Sequence, residues 1–554
     1  MRESTALLGN TSSSSSSSSP CRQQSSNKRR AWILAGGLTF LSLVSLAWWT
    51  TLAATGGQDT RLNSPAVGRF IHITDLHVDP NYRIGASSYS QCHRRPTSPT
   101  AEIDEKTGKY GRPFSKCDSP VALINATSEY LRKEWRGRVD FVAWTGDSGR
   151  HDGDAELPRA LDEIIEQNNI AAGALRHAFG GTCAVIPNVG NNDVSPHNEL
   201  PGPGHKRARK TFRLLAKAWQ GLVPQDQLPA FHYGGYFAYP VSPRLTVLSV
   251  NTMYWYRAND KVGGCKAEDS PGLAQLAWMR WQIRMAREQG RDIIVIGHVA
   301  PNRENYRPSC YKAYARTVSQ IVPPPGPHAP PIIHAQLFGH SNVDAWAFVG
   351  PDADWEVSER DQRLWWEKQV DDEEGRFGDL IRGAWTAEQQ DDASERDWAL
   401  MEDDGSALVT TSQVVPDDFV ETLLREYERV VMQTPRHPRL GITTISPSVI
   451  PKLQPAFRVF HYLLSHPQKE KGHDSRWSHL APGTLLDYDV YTADLHKRNK
   501  EEGGVKKFYE PLYRFSRVYG IGDLSVDSYV RWAKRLLTSK ALRKRFRSLT
   551  FLDM

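Results

Sequence analysis

Cysteine is scarce in this sequence: its 554 residues include only 6 cysteines, and none of them forms a CxxC pair. The chain therefore lacks the closely spaced cysteine pairs that are typical of structural zinc sites. Five of the 6 cysteines lie beyond residue 54, which fits an exported, oxidising environment. From their order we expect Cys92 to pair with Cys117 and Cys265 with Cys310, although order alone does not determine pairing. Cys183, which begins a predicted strand, is expected to be a buried thiol.

A large excess of charge of one sign is also absent. Lys and Arg number 69 and Asp and Glu 63, so the formal net charge is only +6 at pH 7. A charge this small and this spread out predicts no nucleic-acid partner and does not locate a groove for an anion. Acidic residues, glutamines and tryptophans crowd between residues 351 and 404 without a steady period. We interpret 351–436 as an acidic, low-complexity insertion, either a solvated loop or an acidic segment that binds a partner.

The first 27 residues have almost no large apolar side chains, and residues 12–19 are all serine. Such a composition cannot offset the entropy of ordering, so we expect a disordered cytoplasmic tail over residues 1–30. Residues 31–54 contain no charged side chain and follow a basic cluster at 28–30. A span of this length fits one transmembrane helix with a cytoplasmic N-terminus, a type II signal-anchor. A cleaved signal peptide is the alternative, since small residues follow at 53–56; both interpretations export the body.

The exported part alternates between predicted strands and predicted helices, which indicates an α/β architecture. Short apolar runs rich in β-branched residues predict strands that end in turn signals. They lie at 70–74, 140–145, 183–186, 293–296 and 332–338. Amphipathic or capped segments predict helices at 120–135, 271–289 and 525–540. Two further strand-like runs, 442–451 and 457–462, are bounded by prolines and are predicted to be edge strands.

A polar motif follows each of the first five strands. Because strand ends on a rigid sheet can aim several side chains at one point, these motifs predict a metal centre. The candidate ligands are Asp75, His77, Asp147, Asn191, His298, His340 and Asn342. Carboxylate, amide and imidazole together suit two divalent ions such as Mn, Co, Mg, Zn or Fe rather than Ca. Two such ions can clamp a phosphoryl group and activate water near neutral pH.

The ordered set of motifs resembles the calcineurin-like metallophosphoesterases, and segment 146–152 (GDSGRHD) resembles their acid-sphingomyelinase-like branch. Within that branch, segments 190–198, 339–344 and 446–451 and the N-terminal anchor resemble a fungal group that acts on inorganic polyphosphate. The resemblance implies a four-layer metallophosphoesterase β-sandwich flanked by helices, formed by a core at 68–350 and a C-terminal part at 437–554. It also implies hydrolysis of internal phosphoanhydride bonds at the vacuole membrane, with the catalytic body in the lumen.

The resemblance implies a ligand set for each metal. One metal would be held by Asp75, His77 and Asp147, and the other by Asp147, Asn191, His298 and His340. The superfamily has a further histidine where this chain has Asn342. An amide oxygen there makes the first site harder and favours Mn, Mg or Co over tightly bound Zn.

A second departure concerns the general acid, because many relatives carry a histidine where this chain has Asn192. A phosphate leaving group needs a strong acid less than an alkoxide does, so Asn192 could stabilise charge by hydrogen bonding. His197 is either a proton donor or a structural residue. His151 and Asp152 are expected to orient ligands or water beside the metals, the alternative being a surface position.

Two other functions fit the same residues. A sphingomyelinase-like phosphodiesterase would share every metal ligand. An inactive membrane-anchored adaptor would work through the acidic insertion. A glycosylation sequon at Asn125 fits a lumenal surface in all three cases.

Overall fold

The computed structural model describes residues 66–96, 107–267, 269–319, 333–350, 418–433, 440–465, 477, 480–501 and 507–552. The predicted tail, the predicted membrane helix at 31–54 and residues 351–417 of the insertion lie outside the described residues. Among the helices in the described ranges, none combines the length and the apolar composition that crossing a membrane requires.

Two mixed β-sheets form the centre of the described structure. The first contains, in spatial order, β14 (Glu510–Arg514), β13 (Leu485–Thr492), β12 (Ala456–Leu463), β1 (Val67–Ile73), β4 (Phe141–Trp144) and β5 (Ala184–Ile186). Strands β1, β4 and β5 are parallel, whereas β12, β13 and β14 pair antiparallel. A short parallel pair, β2 (Val78–Asp79) and β3 (Ser119–Pro120), follows the loop after β1.

The second sheet contains, in spatial order, β10 (Ala345–Val349), β11 (Gly441–Ile445), β9 (Ile333–Phe338), β8 (Asp292–Ile296), β7 (Leu245–Ser249) and β6 (Phe237–Ser242). Its inner strands β11, β9, β8 and β7 are parallel, and β10 and β6 pair antiparallel at the two edges. One hydrophobic cluster includes residues of both sheets. The described chain is therefore a mixed α/β structure with a shared core.

Helices flank the sheets. They are α1 (Val121–Trp135), α2 (Leu161–Phe179), α3 (Lys206–Ala218), α4 (Leu228–Gly234), α5 (Pro271–Glu288), α6 (Pro308–Ser319), α7 (Phe419–Gln433), α8 (Leu495–Arg498), α9 (Phe515–Tyr519), α10 (Val526–Thr538) and α11 (Lys540–Thr550). The predicted helices at 120–135 and 271–289 are confirmed. The second has the expected start, because the Ser270 hydroxyl accepts from the Leu273 amide and proline occupies the first turn.

The two predicted edge strands are wrong. β11 lies between β10 and β9, and β12 lies between β13 and β1, so both strands are interior. The prolines that suggested edge positions lie outside the strands: Pro447 and Pro451 follow β11 and Pro455 precedes β12. They therefore remove no hydrogen bond from either ladder.

The predicted C-terminal helix at about 525–540 is confirmed as α10 (Val526–Thr538). A second helix, α11, begins at Lys540 and was not predicted. Ser539 separates the two with an extended backbone, and its hydroxyl accepts a hydrogen bond from the Leu542 amide. A serine that caps the following helix thus ends the preceding one.

Part of the acidic insertion belongs to the fold. α7 lies within the predicted segment 351–436 and is an ordinary helix. The ring of Tyr427 stacks on Trp346 of β10 with centroids 4.2 Å apart, and both side chains are buried. The expectation of a solvated loop is therefore wrong for residues 419–433.

The cysteines pair as their order suggested. Cys92 bonds Cys117 and Cys265 bonds Cys310. Cys183 forms no disulfide with another described cysteine and precedes β5, but it is partly exposed rather than buried. The prediction of a buried thiol fails because the core face of this strand begins only at Val185.

Candidate metal centre

The five motifs follow strands that the two sheets bring together. β1, β4 and β5 of the first sheet and β8 and β9 of the second each end just before one of them. A buried hydrogen bond from His298 Nδ1 to the Thr145 carbonyl, 2.8 Å long, joins the ends of β8 and β4. Asn188 adds another link, because its amide donates to the Val250 carbonyl and the Ser249 hydroxyl at 2.8 Å.

Several of the predicted ligands lie on strained backbone. Left-handed φ angles occur at Asp75 (50°), His77 (37°), Asp147 (56°), His340 (69°) and Asn342 (57°). Side chains other than glycine rarely adopt this conformation, which costs about 1–3 kcal/mol each and is typical of functional sites. Two backbone bonds hold the conformation at the first two motifs, from the Asp75 amide to the Gly146 carbonyl and from the His77 amide to the Asp147 carbonyl, both 3.0 Å long.

One cluster contains Asp75, His77 and Asp147, with candidate ligand atoms within 4.8 Å of one another. His77 Nε2 lies 3.5 Å from Asp75 Oδ1 and 3.5 Å from Asp147 Oδ2. The other ring nitrogen, Nδ1, donates to the Gly149 carbonyl at 2.8 Å. Because that bond holds the proton on Nδ1, the lone pair of Nε2 faces the two carboxylates.

A second cluster contains Asp147, His298 and His340. His298 Nε2 lies 3.1 Å from Asp147 Oδ2. The amide oxygen of Asn191 lies 2.9 Å from both His298 Nε2 and His340 Nδ1. Asp147 therefore belongs to both clusters, as a bridging ligand must.

Unpartnered buried atoms test whether these residues fit metal ions. Asp75 Oδ1, His77 Nε2, Asn192 Oδ1 and Asn342 Oδ1 are buried and have no hydrogen-bond partner among the residues that the structure describes. Buried acceptors without partners are costly, and two carboxylates side by side add repulsion. Cations remove both costs at once. The set of donors is one that suits divalent metals with mixed oxygen and nitrogen ligands.

The electrostatics of the central pair point the same way. Burial lowers the pKa of His298, but the adjacent Asp147 carboxylate outweighs it and raises that pKa to about 9. Burial raises the pKa of Asp147, yet His298 and His77 hold it well below its usual range. A proton on His298 thus balances Asp147 where a metal ion would otherwise do so.

Asn192 binds the carboxylate of Asp147. Its side-chain nitrogen donates to Asp147 Oδ2 and its backbone amide to Asp147 Oδ1, both at 2.8 Å. The residue therefore orients the bridging carboxylate.

The remaining predicted residues lie close by in different surroundings. His151 stacks on His77 with ring centroids 4.2 Å apart, and its Nδ1 lies 2.7 Å from Asp118 Oδ1. His197 Nε2 accepts from the Asn191 side-chain nitrogen at 3.0 Å, while its Nδ1 lies 3.6 Å from Asp152 Oδ1. The Asp152 side chain is 41% exposed, so it lies at the solvent side of the site.

Sequence reasoning missed two buried carboxylates. Asp193 accepts from the backbone amides of Asp147, Ser148, Gly149 and Gly190 at 2.9–3.1 Å. The Asp118 carboxylate accepts hydrogen bonds from the ring Nδ1 and from the backbone amide of His151. Asp193 belongs to the third motif, but its role requires a loop 45 residues away, and Asp118 belongs to no motif. Only the folded chain brings either one to the site.

The fold and the site define a class of protein: a mixed α/β chain whose strand ends hold a bridging carboxylate between two clusters suited to divalent metals. No family model matches the chain. Curated relatives do match the chain, and they are fungal endopolyphosphatases. Identity is 31% over 463 residues with that of Cryptococcus neoformans var. neoformans serotype D, and 29% over 483 residues with that of Neurospora crassa. It is 34% over 298 residues with that of Saccharomyces cerevisiae.

These alignments cover 78%, 80% and 52% of this chain and 63%, 61% and 41% of the respective relatives. The chain thus spans about three fifths of the length of the first two. The relatives confirm the resemblance to the fungal polyphosphate enzymes that the motifs indicated. A solved structure of a dimetal phosphatase from Danio rerio matches 50% of this chain and 83% of its own, with 13% identity and a TM-score of 0.27.

Proposed function

We propose that this chain is an endopolyphosphatase, a hydrolase that uses two metal ions to cleave internal phosphoanhydride bonds of inorganic polyphosphate into shorter chains. One observation carries the proposal: Asp147 belongs to both clusters, and beside it Asp75 Oδ1 and His77 Nε2 are buried without a hydrogen-bond partner in the described part of the chain. The similarity to curated fungal endopolyphosphatases supports the choice of substrate. A phosphodiesterase would use the same ligands, but none of the relatives described above carries that name.

The roles of the ligands follow from the two clusters. Asp75, His77 and Asp147 would hold one ion, with Asn342 in the place of the superfamily's further histidine. Asp147, Asn191, His298 and His340 would hold the other. When bound, two divalent ions such as Mn, Co, Mg, Zn or Fe polarise the phosphoryl group and lower the pKa of water.

The protein's own contribution is orientation and exclusion of water. The carbonyls of Gly149 and Thr145 fix the tautomers of His77 and His298, so that both Nε2 atoms face Asp147. Asp75, Asp147 and His298 are fully buried, which strengthens every electrostatic interaction in the site. Backbone held in left-handed conformations preorganises these groups before substrate binds.

We propose that His151 rather than Asn192 exchanges protons beside the metals, as an acceptor. Asp118 accepts the Nδ1 proton of His151, and Nε2 of His151 is buried and has no hydrogen-bond partner among the described residues. Burial lowers the pKa of His151 to about 3, so Nε2 carries no proton near neutral pH and is free to accept one. His197 cannot do the same in this geometry, because its Nε2 already accepts from Asn191. His197 and Asp152 would then orient Asn191.

Location and architecture are part of the proposal. We place the catalytic body in the lumen of the vacuole, held by one transmembrane helix at 31–54 in type II orientation. The two disulfides and the exposed Asn125 of the sequon support an oxidising, glycosylating route. We further propose that the two sheets and their helices form the four-layer sandwich that the resemblance implies.

The test is a cleavage assay on long-chain polyphosphate with Mn, Co, Mg or Zn, read by gel electrophoresis. Chains of intermediate length should appear before free phosphate, and a phosphodiester should be turned over far more slowly. Asp147→Asn should abolish cleavage, whereas Asp226→Asn, which changes an exposed carboxylate, should not. Release of phosphate alone, or preference for the phosphodiester, would refute the proposal.

A further inference from the structure

Arg159 is a cation beside the metal centre, and no described carboxylate pairs with it. It lies in the loop between β4 and α2 and is half-buried. Its Nη1 donates to the Asn192 carbonyl at 2.6 Å and to the Arg150 carbonyl at 2.5 Å. Among the described residues it forms no ion pair, unlike the neighbouring Arg150, which binds Glu163.

The two carbonyls fix the position of the guanidinium relative to the site. Asn192 is the residue whose side chain and backbone both bind Asp147. On the other side, a Cβ added to Gly149 would lie only 3.0 Å from Arg159 Nη1, and Gly149 supplies the carbonyl that orients His77. Arg159 is therefore packed between the two loops that carry the ligands.

The other half of the guanidinium makes no such bond. Arg159 is partly exposed, and no described residue accepts a hydrogen bond from its Nε or Nη2. Burial lowers the pKa of Arg159, while Asp152, Asp147 and Asp193 raise it, so these carboxylates are near without pairing with it. Asp147 and Asp193 are already engaged by His298, Asn192 and backbone amides.

An unpaired, partly desolvated guanidinium that keeps a free fork of N–H groups is suited to bind phosphate in two-point fashion. Polyphosphate differs from a phosphomonoester because another phosphate lies on each side of the reacting group. We propose that Arg159 Nε and Nη2 bind a phosphate that neighbours the reacting phosphoryl, and so select phosphoanhydride chains. This inference rests on the proposed function.

The test compares ligands with one and two phosphoryl groups on the metal-loaded protein. Methylenediphosphonate is not hydrolysed at its bridge, so its dissociation constant can be measured by calorimetry beside that of inorganic phosphate. Arg159→Gln should weaken binding of methylenediphosphonate by about tenfold or more, the size expected for charge-assisted hydrogen bonds. Binding of inorganic phosphate should change by less than about threefold, on the same scale.

A matched control is Arg176→Gln. Arg176 also donates from one nitrogen to two backbone carbonyls, those of Ala218 and Gln220, but it lies in the last turn of α2. Its substitution should leave both dissociation constants unchanged. Arg159→Lys keeps the charge without the fork, so it should bind methylenediphosphonate with intermediate strength even if Arg159→Gln folds poorly.

Equal losses for both ligands in Arg159→Gln and Arg159→Lys would overturn the proposal, because they would show that Arg159 only positions the loops. Unchanged binding of methylenediphosphonate would overturn it as well. Kinetics separate this inference from the proposed function. If the wild-type protein binds methylenediphosphonate through Arg159 but does not cleave polyphosphate, the phosphate site stands and the activity fails.

Discussion

Asp193 shows how a residue that touches no ligand atom can determine the site. Its carboxylate accepts from four backbone amides and from the Asn168 side chain, which ties the loop after β4 to the loop after β5. Asp147 lies in the first of these loops and Asn191 in the second. The relative position of the two predicted ligands therefore depends on Asp193.

We expect Asp193→Asn to lower metal affinity and activity by about 10–100-fold, the usual effect of removing a residue that holds ligands in place. An amide at this position would direct N–H groups at backbone donors. Metal titration followed by inductively coupled plasma analysis measures the effect, with Asp226→Asn as the control. Wild-type affinity in Asp193→Asn would contradict this role.

Stability should depend on pH through Asp489. Burial raises the pKa of this carboxyl, but hydrogen bonds from His461 and Arg514 outweigh it and lower the pKa to about 2. The unfolded value is about 3.9. The depressed pKa contributes stability that is present above about pH 4 and is lost as the pH falls toward 2.

Asp489→Asn should therefore reduce the free energy of unfolding by about 2 kcal/mol at pH 7, from the size of the shift. The difference from the wild type should narrow as the pH falls from 5 to 3. Urea unfolding at several pH values measures it. A difference that is constant across this range would contradict the assignment.

At the residue scale, the sequence predicted the aspartates and histidines of the two clusters but not the residues that hold them in place. Asp75, His77 and Asp147 were predictable because each follows a recognisable strand. Asp118, Asp193 and Arg159 act on loops that are distant in sequence. Their roles depend on which loops the fold brings together, and no local pattern contains that information.

At the element scale, the two sheets are tied by a buried ion pair. Asp344, just before β10, accepts from Arg458 of β12, and its other oxygen accepts from the Tyr513 hydroxyl of β14 at 2.7 Å. Arg458 is fully buried and stacks on Tyr488, with 4.6 Å from Cζ to the ring centroid. Burial lowers the pKa of Arg458, but the adjacent Asp344 carboxylate outweighs burial and raises this pKa above its usual value. The guanidinium therefore stays charged.

Asp344→Ala would leave this charge buried and unpaired. We expect a loss of about 3–5 kcal/mol in the free energy of unfolding, the usual cost of breaking a buried pair. The double variant Asp344→Leu with Arg458→Met should recover much of it, because no unpaired charge remains. Denaturant unfolding measures the free energy of unfolding of both variants. A loss below about 1 kcal/mol in Asp344→Ala is the range of surface pairs. Such a result would contradict the claim that this buried ion pair ties the two sheets.

Local patterns predicted most elements and misplaced some of them. The β-branched runs and the Ser270 cap are local signals, so β1, β8 and α5 lie close to their expected bounds. Strand order is not local, which is why β11 and β12 were placed at edges although they are interior. α7 was missed because the composition of 351–404 was extended to residues whose own spacing is helical.

The same helix gives a prediction about the insertion. Replacing residues 351–417 with a flexible linker should leave polyphosphate hydrolysis unchanged, whereas also removing α7 should destabilise the fold, because Trp346 would lose its stacking partner Tyr427. Thermal unfolding and the cleavage assay measure both variants. Loss of hydrolysis on replacing 351–417 alone would contradict this prediction.

At the scale of the whole molecule, two sheets bring five strand ends together, and we propose that Asp147 bridges two metal ions there. The most direct measurement is anomalous diffraction from crystals grown with Mn²⁺. We expect two peaks per chain, one beside Asp75, His77 and Asp147 and the other beside Asp147, Asn191, His298 and His340. Anomalous peaks elsewhere, or none at Asp147, would contradict this proposal.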